Sequence, residues 1–194
     1  MLMVGMDALV VERDLQGGRL ACPHCEGELR PWWFARARKL RDGEDDLRIR
    51  PRRAICHGCR TTHVLLPVAG LLRRRDLAEV IGRALATWVA GTGHRAIAGS
   101  LGIPPTTVRG WLRRLAERAE PLRAHFTRLA FWLDPSLGPI SPRASPSADA
   151  LEAIVLAAQG AVRRFGPAPV WWFASGATAG RLLANTSSPF PAPW

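Results

Sequence analysis

Apolar positions fall into two rhythms along this chain. In residues 32–41, Trp-Trp-Phe-Ala-Arg-Ala-Arg-Lys-Leu-Arg, apolar and basic residues partly alternate. Asp42-Gly43 begins a polar turn that runs through Asp46. Residues 47–55 then place Leu47, Ile49, Pro51 and Arg53 on one face and Arg48, Arg50, Arg52 and Ala54 on the other. A period of two on both sides of an Asp-Gly turn predicts a β-hairpin. Thr61-Thr62-His63-Val64-Leu65-Leu66 predicts one more strand.

Beyond residue 70 the period becomes helical. Leu77, Val80, Ile81, Ala84, Leu85, Trp88 and Val89 share one helix face. Asp76 and Glu79 have the spacing of a capping box at its start, and Gly91 closes it. In 94–115, Ala98 is small where two helices must cross. Gly102 suits a left-handed helix end, and Ile103 can plug the corner. Pro104 or Pro105 opens the next helix, whose Val108, Trp111, Leu112 and Leu115 face a core. From Val108 to Leu133 apolar residues recur at alternating gaps of four and three, a heptad seam. Pro121 predicts a kink or a fresh start. The seam suits a homodimer or the chain's own C-terminal helices. Its shortness, and the tail's need for a partner, favour the second.

Residues 134–147 read as a linker. A helix fits 148–165 with Gly166 as its stop, and another fits about 170–184 with Trp171, Trp172 and Phe173. The Gly176-x-x-x-Gly180 pair predicts a close helix contact. The last residues, 186–194, read as a disordered tail.

The four cysteines form Cys22-Pro23-His24-Cys25 and Cys56-His57-Gly58-Cys59. A two-residue gap lets each pair turn both sulfurs to one point, and two such knuckles supply a tetrahedron of soft ligands for structural zinc. Knuckle, hairpin, knuckle and strand make the layout of a zinc ribbon. His24, His57 and His63 are predicted outside a shell that four thiolates already fill, and such a shell leaves no open position for catalysis.

The predicted fold class is mainly α with a small β zinc ribbon. An N-terminal segment (1–18) precedes the four-Cys ribbon (19–70). A trihelical helix-turn-helix domain with an extended third helix (71–133) follows, then the linker and a C-terminal helical hairpin (148–185).

Charge adds a partner. The chain of 194 residues has net charge +11, and Lys39 is its one lysine. Residues 71–133 hold eleven basic and four acidic side chains, whereas 134–194 hold four and three. A cationic field on the middle of the chain predicts phosphate backbones as ligand.

The stretch Ile97-Ala98-x-x-Leu101-Gly102-Ile103, followed by Thr107, Val108, Trp111 and Leu112, resembles the helix-turn-helix of bacterial regulators, resolvases and transposase N-terminal domains. With the upstream ribbon, residues 20–133 resemble an uncharacterised bacterial family of zinc-ribbon/helix-turn-helix proteins and the N-terminal DNA-binding region of insertion-sequence transposases. The resemblance implies that the second helix of the motif enters the major groove of double-stranded DNA. Pro105, Thr106, Arg109, Gly110 and Arg113 would then face DNA, with Arg109 reading guanine. Arg95, Thr106, Thr107 and Arg114 would hold phosphates. Pro104 stands where the motif usually has a Ser or Thr cap, and Gly110 offers no side chain at a position that often reads a base.

These readings make the chain a DNA-binding transcriptional regulator or mobile-element accessory factor, cytoplasmic and nucleoid-associated. No small-molecule substrate, membrane contact or catalysis is expected. After residue 133 the acids are Asp134, Asp149 and Glu152, too few residues and carboxylates for a nuclease core. The rival reading is a non-catalytic adaptor that binds protein through the ribbon and the Trp-rich C-terminal helices.

Overall fold

The predicted hairpin forms, but in two storeys. In a computed structural model, which describes residues 1–43 and 45–184, β2 (Leu29–Phe34) pairs antiparallel with β5 (Arg52–Cys56). The chain between them makes a second, separate ladder of β3 (Arg38–Asp42) with β4 (Asp45–Ile49), turning at Gly43. Strand β6 (Thr62–Pro67) pairs with β5. It also takes up β1 (Leu2–Val4) in parallel, giving a mixed sheet of order β1-β6-β5-β2. Helix α1 (Ala8–Gln16) packs on this sheet. Its N-cap Asp7 accepts hydrogen bonds from Leu9 and Val10 N–H. The molecule is therefore mixed α/β.

The helical part consists of α2 (Ala78–Val89), α3 (His94–Leu101), α4 (Pro105–Leu133), α5 (Pro146–Phe165) and α6 (Val170–Ala177). Helix α4 continues through Pro121 as one element. All eight residues of its heptad seam are buried within this chain, where α4 packs along α5. The seam is thus covered by the chain's own helices. Helix α5 begins at Pro146, two residues before the predicted start, because the Ser145 hydroxyl accepts from Ala148 N–H.

Two expectations are corrected. The capping box at α2 does not form. Asp76 is drawn to Arg41 of β3, Glu79 is half-buried near the Trp171 backbone, and Leu77 starts the helix without a side-chain cap. Burial pushes the Glu79 carboxyl above its usual range. The last helix stops at Ala177, not near 184. The Thr178 hydroxyl bonds back to the Ala174 carbonyl, and Ala179 and Gly180 take left-handed φ of 50° and 74°. Gly180 then lies against Met3 and Leu72, so the Gly176/Gly180 pair makes no helix–helix seam. Beyond it Leu182 and Leu183 are buried, and Arg74 and Arg118 hold the Leu183 and Ala184 carbonyls. The expected disordered tail, 186–194, lies outside the described residues.

One buried cluster joins α2–α6 and reaches the β3–β4 tip through Leu40, with Leu47 and Ile49 packed against it. The expected C-terminal module is therefore part of the same core as α2–α4. A second, small cluster sits beneath the cysteines: Leu15, Cys22, Leu29, Ala54, Cys56 and Leu65.

Gly82 illustrates how tightly α6 is seated on α2. A β-carbon there would lie 2.0 Å from the Trp171 indole. Helix propensity alone would make Gly82→Ala stabilising by about 1 kcal/mol. Overpacking against a rigid ring costs typically 1–3 kcal/mol, and the overlap here is severe. Gly82→Ala is therefore expected to lower stability in urea unfolding. A stabilised variant would contradict this packing.

Candidate metal centre and candidate nucleic-acid interface

Both cysteine pairs fold the same way. In the first, Glu26 N–H donates to the Cys22 carbonyl and Cys22 N–H to the Gly27 carbonyl. In the second, Arg60 N–H donates to Cys56 and Cys56 N–H to Thr61. The residue after each pair, Glu26 or Arg60, is left-handed (φ 59° and 61°), which turns the chain back at once. Backbone N–H groups of His24 and Cys59 point at the Cys22 and Cys56 sulfurs, 3.4 Å away, favouring thiolate charge. Gly27 passes close beneath the sulfurs: a β-carbon there would lie 3.2 and 3.3 Å from those of Cys56 and Cys25, which would have to give by a few tenths of an ångström.

The two knuckles converge. All four Sγ atoms lie within 4.8 Å of one another, and none is in a disulfide. Cys22–Cys59 and Cys25–Cys56 are separated by 3.8 and 3.5 Å. Four thiolates at the usual zinc–sulfur distance of ~2.3 Å in a tetrahedron would be about 3.8 Å apart. Thr61, through its hydroxyl and N–H, pulls the Cys59 thiol down to about 6. At Cys25 the Gly27 N–H favours the thiolate, but hydrogen bonding with Cys56 and Cys59 outweighs it and pushes the thiol up to about 11. Sulfurs this close can all be ionised only around a cation. Among the described residues no other group of three or more His, Cys, Asp or Glu side chains converges in this way.

Of the three neighbouring histidines only His63 reaches a sulfur. It is buried, with Nε2 3.4 Å from Cys22 Sγ, and its ring meets the exposed His24 edge-on. It stands beside the ligand set and not within it.

The residues expected to face DNA lie around the sharp turn between α3 and α4. Gly102 takes φ +62° and caps α3, Ile103 and Ala98 are buried, and Ile103 N–H donates to the Ala98 carbonyl. Pro104 gives no side-chain cap, and Pro105 opens α4. Thr106, Arg109, Gly110, Arg113 and Arg114 line one open cavity of about 440 Å³ on the outer face of α4. Pro105 is exposed beside it, and Thr107 is half-buried against the Pro104 carbonyl. Arg95 is exposed on α3 and does not line the cavity.

The arginines differ in freedom. Arg113 makes an exposed ion pair with Glu117 at 3.4 Å, a contact weak enough to exchange for a phosphate. The Arg114 guanidinium donates to its own helix at the Gly110 carbonyl, 2.8 Å away, which fixes it over the bare position that Gly110 leaves. No family model, curated protein or solved structure matches this chain. Among the described residues no helix is long and apolar enough to cross a membrane.

Proposed function

We propose that this chain is a zinc-ordered DNA-binding protein in which α3 and α4 form a helix-turn-helix and the first turns of α4 enter the major groove. One observation carries the reading. Thr106, Arg109, Gly110, Arg113 and Arg114 share a single cationic hollow on the outward face of α4, while its inward face is committed to the core. Arg109, exposed at the centre of that set, suits bidentate contact with guanine O6 and N7. Thr106, Thr107, Arg95, Arg113 and Arg114 suit phosphates. Zn2+ on Cys22, Cys25, Cys56 and Cys59 orders the ribbon. The reading assigns the chain no catalysis, and its biological role is regulation of transcription or assistance to a mobile element.

Mobility shifts with genomic fragments at several salt concentrations test this. Arg109→Ala is expected to weaken the preferred site roughly 5- to 150-fold and to relax its preference. Arg113→Ala is expected to weaken all duplexes alike and to reduce the salt slope by about 1. Unchanged affinity in both variants rules out this helix as the reader. Absence of any shift favours the adaptor reading. An adaptor would have Trp32, Trp33 and Phe34 exposed on the ribbon and Phe131, Trp132 and Phe165 exposed on the helices, whereas Trp171 and Trp172 are partly buried against the helical core.

A further inference from the structure

We infer that the Trp32–Trp33–Phe34 edge of β2 is a second nucleic-acid surface, one that stacks the unpaired bases of single-stranded DNA. It draws on the proposed DNA-binding reading only for the class of ligand, and its residues are separate from those of α4.

The decisive feature is a β-bulge. Pro31 pairs with Ala54 and Phe34 with Arg52, so Trp32 and Trp33 together oppose the single residue Arg53. A bulge re-aims the side chains it carries, and here it leaves both indoles in solvent. Trp32 is 56 % and Trp33 66 % exposed, and neither belongs to a buried cluster. Phe34, 41 % exposed, meets Trp33 at 6.5 Å in an edge arrangement. Three adjacent aromatic side chains in water, on the outermost strand of a sheet, are a liability unless something covers them.

What surrounds them is cationic. The Arg50 and Arg52 guanidinium carbons lie 4.9 and 4.6 Å from the Phe34 ring centre. Arg52 is fixed in place by two hydrogen bonds to Glu12 and one to the Trp33 carbonyl. Arg50 has no ion pair among the described residues. Two exposed indoles, beside a Phe34 ring already stacked by two guanidinium groups, match a ligand with flat bases on an anionic backbone. Every base has a π face, so such a platform prefers unpaired strands over stacked duplex and is tolerant of sequence. The groove-reading hollow on α4 and this platform would together suit DNA with both duplex and unpaired portions.

Fluorescence anisotropy with a labelled oligothymidine and a labelled duplex, at fixed salt, separates the two surfaces. The double variant Trp32→Ala/Trp33→Ala is expected to weaken oligothymidine binding at least roughly tenfold and to leave duplex affinity unchanged. Trp32→Phe/Trp33→Phe, which keeps the rings, is expected to retain most of the single-strand affinity and so to separate stacking from misfolding. Arg109→Ala/Arg113→Ala should show the converse pattern. If the wild-type chain binds duplex but not oligothymidine, the platform is wrong and the α4 reading stands. If it binds oligothymidine through these tryptophans but not duplex, the α4 reading is wrong and the platform stands. Equal loss on both ligands in the alanine variant, or none on either, overturns the platform as a single-strand site.

Discussion

Cys56→Ser, or treatment of the purified chain with a strong zinc chelator, is expected to dissolve the β1-β6-β5-β2 sheet together with α1, while most of the helical signal survives. The reason is the size of the core beneath the cysteines. It holds six buried side chains, and two of them are Cys22 and Cys56. So small a core cannot offset the ordering of some fifty residues unaided, and below about 40 residues domains usually need a staple of this kind. Structural zinc contributes on the order of 10 kcal/mol to such modules. The helices have their own, much larger core and need no help from the cation. The checks are one zinc per chain by elemental analysis and a far-UV dichroism spectrum that loses its sheet component in the variant. A chain that held no stoichiometric metal and kept its spectrum under chelation would remove the ribbon from the proposal.

Arg41→Ala is expected to lower stability by about 3 kcal/mol, or roughly 6–12 °C in melting temperature. Asp76 is buried, and Arg41 meets both of its carboxylate oxygens, Nε to Oδ1 at 2.9 Å and a terminal nitrogen to Oδ2 at 3.1 Å. Removing the guanidinium strands a carboxylate in a low-dielectric site, which costs about 3–5 kcal/mol. Arg41 is itself part-exposed, which places the effect at the lower end. The pair sits where the two halves of the molecule join. Arg41 N–H donates to the Arg75 carbonyl, and Leu77 N–H donates to the Arg41 carbonyl. Adding Asp76→Asn to Arg41→Ala is expected to recover part of the loss by removing the unpaired charge. A single-variant loss below about 1 kcal/mol in urea unfolding would show that the pair does not hold the hairpin tip to the helices.

Much of this was legible because it is local. Each cysteine pair needs only its own turn to aim two sulfurs. The left-handed Gly102 and the buried Ala98 and Ile103 follow from three residues in sequence. The heptad seam declared one buried face along α4, though not what would cover it. Helix α1 was open to the same kind of reading, since Asp7 before an apolar run is an N-cap signal. The tryptophan pair was visible as a composition feature. The bulge that exposes it was not, because a bulge depends on the register with β5.

By itself, then, the chain's order of residues determined the turn that aims each pair of sulfurs, the sharp turn before α4 and the apolar face of each long helix, since each is settled within one or two turns of backbone, whereas bringing the two pairs together took the β2–β5 pairing. The tertiary structure decided every case in which a side chain or carbonyl had a distant partner to choose. Asp76 left its helix for Arg41, and the Leu183 and Ala184 carbonyls went to Arg74 and Arg118 in place of a helical turn. β1 found β6 some sixty residues away. A buried charge or backbone group takes whichever partner desolvates it at least cost, and that comparison exists only once distant segments have met.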